Sequence, residues 1–187
     1  MPAILELPEV RERVSPLTVD EYHQLGEFNE HRRRAELIRG IVIEKMSKSP
    51  LHSFIAKALY DLLVQLVPAG YLVRREDPLT LADSEPEPDV AVVKGTPADF
   101  VAAHPRTAEL VVEVAVSSPG LDRENASLYA EAGVKEYWII LGLDKQVEVY
   151  RRPERGLYSE KHLFAAEVLI ECSSLPGVRL RLVDVLA

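Results

Sequence analysis

Two valine-rich stretches decide the fold: residues 85–94 read EPEPDVAVVK and residues 109–116 read ELVVEVAV. Each has the composition of a buried strand but carries one acidic residue within it, Asp89 in the first and Glu113 in the second. A carboxylate among apolar neighbours is costly to bury unless a partner compensates its charge, and a divalent cation is the usual partner. An ion pair with an arginine is the competing explanation.

The alternation of side chains along a strand predicts where these two acids point. The even-numbered residues from 110 to 116 form a wholly apolar face, so Glu113 projects to the other side. Pro86 and Pro88 cannot donate ladder hydrogen bonds, which places Asp89 at an edge or at the start of a strand. If the two strands pair, Asp89 and Glu113 lie side by side, where a shared Mg²⁺ or Mn²⁺ relieves their repulsion.

The whole chain has the size and composition of an ordinary globular protein. Its 187 residues, 47% hydrophobic and 28% charged, predict one domain over residues 1–187 with an extended arm at residues 1–16. No run approaches the roughly 18 apolar residues of a membrane span, and the N-terminus lacks a secretion signal pattern. Cys172 is the single cysteine, which excludes an internal disulfide. These features predict a cytoplasmic protein with no membrane partner.

Apolar periodicity and turn signals predict a mixed α/β (α+β) fold in which one sheet carries helices. The predicted order of elements lacks the regular alternation of a doubly wound nucleotide-binding fold. Predicted helices cover residues 18–24, 30–37, 49–67 and 122–132. Besides the two acidic stretches, predicted strands cover residues 41–46, 71–74, 79–81, 136–141, 146–151, 158–164, 168–171 and 178–182. A loop with one helical turn is predicted over residues 94–108.

Several motifs, in order along the chain, resemble those of a known family. The Pro88-Asp89 pair followed by Glu113 one strand later resembles the PD-(D/E)XK nuclease signature. A wider set of motifs, spread over about residues 17–150, resembles the Uma family of that restriction-endonuclease-like superfamily. These motifs are AELIRG, MSKSPLH, EPDVAVV, EVAVSS and LDRENASLYAEAGVKEYWII. The resemblance implies a restriction-endonuclease-like core, with a central mixed β-sheet flanked by helices and extra strands towards the C-terminus.

The same resemblance implies a metal-dependent nuclease that hydrolyses nucleic-acid phosphodiester bonds, most often in DNA. Asp89 and Glu113 would hold Mg²⁺ or Mn²⁺ with the backbone carbonyl of Val114. Glu36 matches an additional upstream catalytic acid of the family, which would hold a second metal ion or a metal-bound water. The ion would polarise the scissile phosphate and lower the pKa of the attacking water. Related folds often cut two strands symmetrically, which by analogy predicts a homodimer.

The chain departs from the signature at its lysine. The position two residues after the glutamate is Ala115, and family members instead bring a lysine from the following helix. Counting back from the family's tyrosine that position is Asn125, and counting forward from its aspartate it is Ala126. Arg123 and Lys135 are the nearby basic substitutes. Because loss of one catalytic partner can reduce a rate by orders of magnitude, slow or absent cleavage is predicted.

Alternative explanations exist for several of these residues. Glu36 has the pattern of a helix-surface acid beside Arg32 and Arg39, and His52, next to a proline helix start, fits a capping or packing role as well as a catalytic one. The missing lysine and the net charge of −8 also favour a noncatalytic binding or assembly module built on the nuclease fold. Acids gathered in a metal site contribute to that charge, so a nucleic-acid partner is not excluded.

Overall fold

The computed structural model describes residues 7–25, 34–117 and 119–186, and the chain forms two compact units. The first unit comprises Met1–Lys45 with Ala82–Pro86, and the second comprises Met46–Leu81 with Glu87–Ala187. A single domain over residues 1–187 stays a prediction. Among the described helices, none has both the length and the apolar composition needed to cross a membrane.

The first unit contains a β-hairpin. Strand β1, Ala35–Ile38, pairs antiparallel with β2, Ile41–Glu44. The two residues between them, Arg39 and Gly40, both have positive φ, which is the geometry of a tight two-residue hairpin loop. The helix predicted over residues 30–37 is therefore wrong at its C-terminal end, which lies in β1, because the loop returns the chain on itself. Its residues up to 33 lie outside the described part of the chain.

Two short helices precede this hairpin. Helix α1 spans Pro8–Arg11, so the arm predicted to be extended over residues 1–16 contains one helical turn, which a proline at the first position favours. Helix α2 spans Val19–Gln24 and begins at a capping box formed by Thr18 and Glu21. The helix predicted there from the spacing of these two residues is confirmed.

The second unit is organised around a six-stranded sheet in the order β3-β4-β5-β6-β7-β8. Its strands are β3 Tyr71–Arg74, β4 Val90–Lys94, β5 Leu110–Ala115, β6 Glu136–Leu141, β7 Gln146–Glu154 and β8 Leu157–Ala165. Strands β5 and β6 are parallel, and every other neighbouring pair is antiparallel. The predicted central mixed sheet is confirmed.

Helices cover both faces of this sheet. Helix α3, Pro50–Leu66, contributes Leu59 to an apolar cluster that also contains Trp138 of β6. Helix α4, Gly120–Glu131, connects the parallel strands β5 and β6, and its Tyr129 packs on Tyr137. Neighbouring residues of a strand point to opposite faces, so the two helices flank opposite sides of β6.

The C-terminal residues extend the second unit beyond the predicted core. Strand β8 completes the central sheet, so the sheet continues past residue 150, where the family likeness was expected to end. Strands β9, Ile170–Glu171, and β10, Arg179–Leu180, form a separate antiparallel pair. Their buried residues join the same apolar cluster as α3, which explains how these extra strands are held.

Two loop predictions had different outcomes. The helical turn predicted between residues 94 and 108 is confirmed as a 3₁₀ turn, Pro97–Phe100. The strand predicted over residues 79–81 is wrong: the segment is irregular, and the Thr80 N–H donates to the Pro105 carbonyl of another loop. Leu79 and Leu81 are nevertheless buried. Their alternation reflects burial of a loop rather than pairing in a sheet.

Candidate active site

The two acids of the valine-rich stretches lie side by side. Val90 is paired with Val112 across the antiparallel strands β4 and β5, so Asp89, immediately before β4, lies beside Glu113. The Asp89 N–H donates to Glu113 Oε2 at 3.1 Å. The two strands pair, and the side-by-side position expected for Asp89 and Glu113 in that case is observed.

The carboxylate of Asp89 is buried and accepts hydrogen bonds at both oxygens. Oδ2 accepts from the Val114 N–H at 2.9 Å and lies 3.0 Å from His52 Nε2. Oδ1 lies 2.7 Å from Lys48 Nζ. Burial raises the pKa of Asp89, but the His52 hydrogen bond and the Lys48 charge outweigh it and lower the pKa to about 2. Asp89 is therefore an anion at neutral pH, and among the described residues the basic side chains that contact it are those of Lys48 and His52.

Glu113 is held from the other side by helix α4. Its Oε1 accepts from the Tyr129 hydroxyl at 2.9 Å, while its Oε2 accepts from the backbone of Asp89. Asn125 is buried one helical turn before Tyr129. Residues four apart share one face of a helix, so Asn125 lies on the face that carries the hydroxyl contacting Glu113. Asn125, one of the two positions expected to hold the family's lysine, thus faces this region of the sheet with a neutral amide.

The start of helix α3 brings two basic side chains to Asp89. Ser49 caps this helix by accepting from the His52 N–H at 3.2 Å, and Pro50 occupies the first turn. The capping role considered for His52 therefore belongs to its backbone, while its ring contacts Asp89. Lys48, just before the cap, lies beside the same carboxylate. Lys48 was not predicted as a site residue, although it belongs to the MSKSPLH motif.

Lys48 also contacts a second acid, Glu76. Its Nζ lies 3.1 Å from Glu76 Oε1, and the Glu76 N–H donates to the Pro88 carbonyl at 3.1 Å. Pro88 directly precedes Asp89, so one backbone contact links the two acids that surround the ammonium. Arg75 NH2 lies 3.3 Å from Glu76 as well. The region is therefore a network of alternating charges rather than an isolated carboxylate pair.

Arg123, one of the proposed lysine substitutes, pairs with a different acid. Its guanidinium donates to Glu148 of β7, the shortest contact being 2.6 Å from NH2 to Oε1. Glu148 also accepts from the Tyr150 hydroxyl and pairs with Lys161. Burial raises the pKa of Glu148, but these partners outweigh it and lower the pKa from 4.5 to about 2. Arg123 is therefore part of an ion-pair cluster on β7 and β8.

Lys135, the other substitute, lies at the opposite end of the parallel pair. Its N–H donates to the Ala108 carbonyl, before the start of β5, whereas Glu113 is level with Ile139. The four residues from Lys135 to Ile139 correspond to about 13 Å along a strand. Its side chain is exposed. The distance places Lys135 away from the acid pair.

Glu36 belongs to the first unit. It lies in β1 opposite Ile43, and its carboxylate lies 3.5 Å from Lys45 Nζ. The description of Glu36 as a helix-surface acid is therefore wrong, because the residue is in a strand and its side chain is largely buried. Arg39, its expected neighbour in charge, pairs with Asp83. A role for Glu36 as the third acid stays a prediction.

The donors at Asp89 and Glu113 fit a hard divalent ion with few protein ligands. Among the residues that the structure describes, no three His, Cys, Asp or Glu side chains converge as a metal-binding group. Mg²⁺, however, is commonly bound by one or two carboxylates and keeps several waters. The Lys48 ammonium at Asp89 Oδ1 also shows that this oxygen accommodates a positive charge. The pair could therefore provide two ligands to a hydrated divalent ion rather than a complete protein cage.

The mixed sheet, its flanking helices and the paired acids are those of a restriction-endonuclease-like protein. The family model of Uma2, described as "Putative restriction endonuclease", matches residues 19–183, and the chain belongs to this family. Its structure is similar to a crystal structure of "a putative nuclease belonging to DUF820 from Anabaena variabilis ATCC 29413", with a TM-score of 0.76, 21% identity, and coverage of 91% of this chain and 97% of that chain. At this identity the likeness establishes the fold. No curated protein matches the chain.

Removal of the Arg123 guanidinium should separate its structural role from a catalytic one. We expect Arg123→Leu to lower the free energy of unfolding by about 0.5–1 kcal/mol, because Glu148 loses a charged donor whose half-exposed guanidinium is screened by solvent. The loss should be full above pH 4.5 and fade as the pH falls towards 2, since the stability supplied by a carboxylate of lowered pKa disappears as it is protonated. Chemical denaturation over this pH range measures the effect. A drop in Mn²⁺ affinity with unchanged stability would contradict it.

Proposed function

We propose that this protein is a metal-dependent nuclease that hydrolyses phosphodiester bonds of nucleic acid, with Mg²⁺ or Mn²⁺ held by Asp89 and Glu113. The observation that carries the proposal is the position of these two carboxylates, side by side where β4 begins and β5 approaches its end. Membership of a family described as restriction endonucleases supports nucleic acid as the substrate class. DNA as the preferred substrate and a homodimeric state rest on family analogy.

The chain's own contacts prepare both acids for a cation. Asp89 is ionised at neutral pH because its pKa is near 2, so no proton has to leave when a cation binds. The Val114 N–H and the Tyr129 hydroxyl hold the two carboxylates in fixed orientations. The N–H and C=O of one strand residue point to the same side, so the Val114 carbonyl is directed towards Asp89 as well.

Charge and hydrogen bonding set what these residues do during hydrolysis. When bound, the ion polarises the scissile phosphate and makes the attacking water more acidic. Asp89 and Glu113 hold that positive charge next to the substrate, and their fixed orientation avoids reorganisation as charge develops. Lys48 adds positive charge at Asp89, which reduces the repulsion that an approaching phosphate meets from the acids, and His52 contacts the other oxygen of the same carboxylate.

Metal titration and cleavage assays on the same preparation test this function. We expect saturable Mn²⁺ binding by calorimetry, and Mn²⁺- or Mg²⁺-dependent cleavage of at least one of plasmid, linear duplex, single-stranded DNA and RNA. Glu113→Gln should lower both metal affinity and cleavage. Glu109→Gln is the matched control, since Glu109 precedes β5 with the same side-chain parity but lies about 13 Å along the strand.

The possible outcomes separate two classes of function. Metal binding and cleavage that both depend on Glu113 support the nuclease. Nucleic-acid binding without cleavage under either metal would instead favour a noncatalytic module that retains the fold. Neither metal binding nor cleavage, with Glu113→Gln as stable as the parent chain, would overturn the proposal.

A further inference from the structure

A lysine reaches the acid pair from a part of the chain remote from the signature positions. A basic residue is expected at position 115 or at position 125 or 126, and Ala115, Asn125 and Ala126 are all neutral. Lys48, which precedes helix α3, lies with its Nζ 2.7 Å from Asp89 Oδ1. Forty-one residues separate Lys48 from Asp89 along the chain. The contact therefore arises from the packing of α3 on the sheet rather than from a local motif.

The surroundings of Lys48 fix its ammonium rather than leave it in solvent. The side chain is 19% exposed, and its Nζ lies between Asp89 and Glu76, whose Oε1 is 3.1 Å away. The backbone that follows Lys48 is also fixed, because Ser49 caps α3 and the buried side of that helix joins the apolar cluster. A long side chain loses considerable rotamer freedom in such a site, so the two acids must compensate for that cost.

An ammonium at this place has a direct use in phosphodiester hydrolysis. Negative charge develops on the leaving oxygen as its bond to phosphorus breaks, and a fixed cation nearby stabilises the charge of the reacting phosphoryl group. The Lys48 ammonium contacts Asp89 directly, and the substrate phosphate must approach Asp89 under the proposed function. Lysine also acts on phosphate as a point charge, so it needs no bidentate geometry.

We propose that Lys48 is a catalytic residue that contacts the substrate phosphate and replaces the missing signature lysine, and that Glu76 is a positioning residue that holds its ammonium. This inference rests on the proposed nuclease function and deepens it. No covalent bond to Lys48 forms and no proton leaves it. The competing role is that of a cation that occupies the metal position and must leave before the ion binds.

Substitution of Lys48 by methionine tests the proposal, because methionine retains an unbranched apolar side chain without the charge. We expect the single-turnover cleavage rate of Lys48→Met to fall by about 10²-fold. Its Mn²⁺ affinity should stay the same or rise, since Asp89 loses a competing cation. Lys48→Arg should recover part of the lost rate. The matched control is Lys57→Met in the same helix, where the lysine is exposed and pairs with Asp61.

Nucleic-acid binding gives a second measurement that does not depend on turnover. With Ca²⁺ as the ion, fluorescence anisotropy of a labelled duplex should show weaker binding by Lys48→Met. The slope of log affinity against log salt should fall by about one, as expected for one lost phosphate contact. Lys57→Met should leave this slope unchanged. Thermal melting of each variant confirms that the comparison is made between folded proteins.

The outcomes distinguish this inference from the nuclease function itself. A parent protein that cleaves, with Lys48→Met cleaving equally well, overturns the role of Lys48 and leaves the nuclease function intact. Faster cleavage by Lys48→Met with tighter Mn²⁺ binding also overturns it, in favour of the competing cation. A parent protein that neither binds nor cleaves nucleic acid overturns both. A lower rate together with a lower salt slope supports Lys48 at the phosphate.

Discussion

Replacement of Asp89 by asparagine is expected to lower the Mn²⁺-dependent cleavage rate by a factor on the order of 10³ or more. The amide retains the shape of the carboxylate and an oxygen that accepts from the Val114 N–H. It loses the negative charge that would hold the ion and that faces Lys48 and His52. The variant therefore removes the electrostatic function of Asp89 while it preserves the hydrogen bond from the Val114 N–H of β5 to this side chain.

Two measurements should accompany this variant. Single-turnover rates at saturating Mn²⁺ give the loss in cleavage, and calorimetry gives the loss in metal affinity. Asp61→Asn is the control, because Asp61 is a half-exposed acid on α3 whose partner is Lys57. Retention of metal binding and of at least a tenth of the rate by Asp89→Asn would contradict the assignment of Asp89 as a ligand.

The acid pair could be predicted because the sequence encodes it locally. Both stretches contain runs of valine that favour buried strands, and the period of two fixes which face each acid occupies. Pro86 and Pro88 further place Asp89 at the start of its strand rather than in the middle. Once two such strands are neighbours in a sheet, few arrangements other than adjacent side chains remain for Asp89 and Glu113. The long helix α3 was predictable for a similar reason, since its apolar period and its Ser49 cap agree.

Lys48 could not be assigned to the site from the sequence because its contact depends on tertiary packing. No periodicity relates Lys48 to Asp89, and only the position of α3 on the sheet brings them together.

Short segments raise a different difficulty for prediction from sequence. The four residues of β1 fit a helical or a strand pattern equally, and the hairpin loop at Arg39 and Gly40 decides between them. Glu36 was assigned to the wrong kind of element for this reason.

The position of Lys48 changes the argument about activity. Neutral residues at Ala115 and Asn125 indicate an inactive protein only if the ammonium has to come from β5 or α4. Chemistry requires a cation at the phosphate and does not prescribe which element supplies it. Under the proposed role of Lys48, the missing signature lysine no longer favours the noncatalytic module.

A lysine moved to α4 should therefore compensate for the loss of Lys48. Asn125 lies one turn before Tyr129 on the face whose hydroxyl contacts Glu113. In the Lys48→Met background, we expect Asn125→Lys to raise the single-turnover cleavage rate by about 10-fold or more, because it returns a positive charge to the acid pair from the opposite side.

The control for this rescue is Glu124→Lys in the same Lys48→Met background. Glu124 is exposed on the neighbouring position of α4, and its substitution adds more positive charge to the helix than the change at Asn125 does. Equal rescue by both substitutions would mean that general attraction of nucleic acid, rather than a cation at the acid pair, restores the rate. Rescue by Asn125→Lys alone would mean that the site needs one ammonium group, which either α4 or the residue before α3 can supply. If Asn125→Lys gives no rescue in a folded double variant, the result contradicts the view that the lysine is defined by its location in space rather than by its place in the sequence.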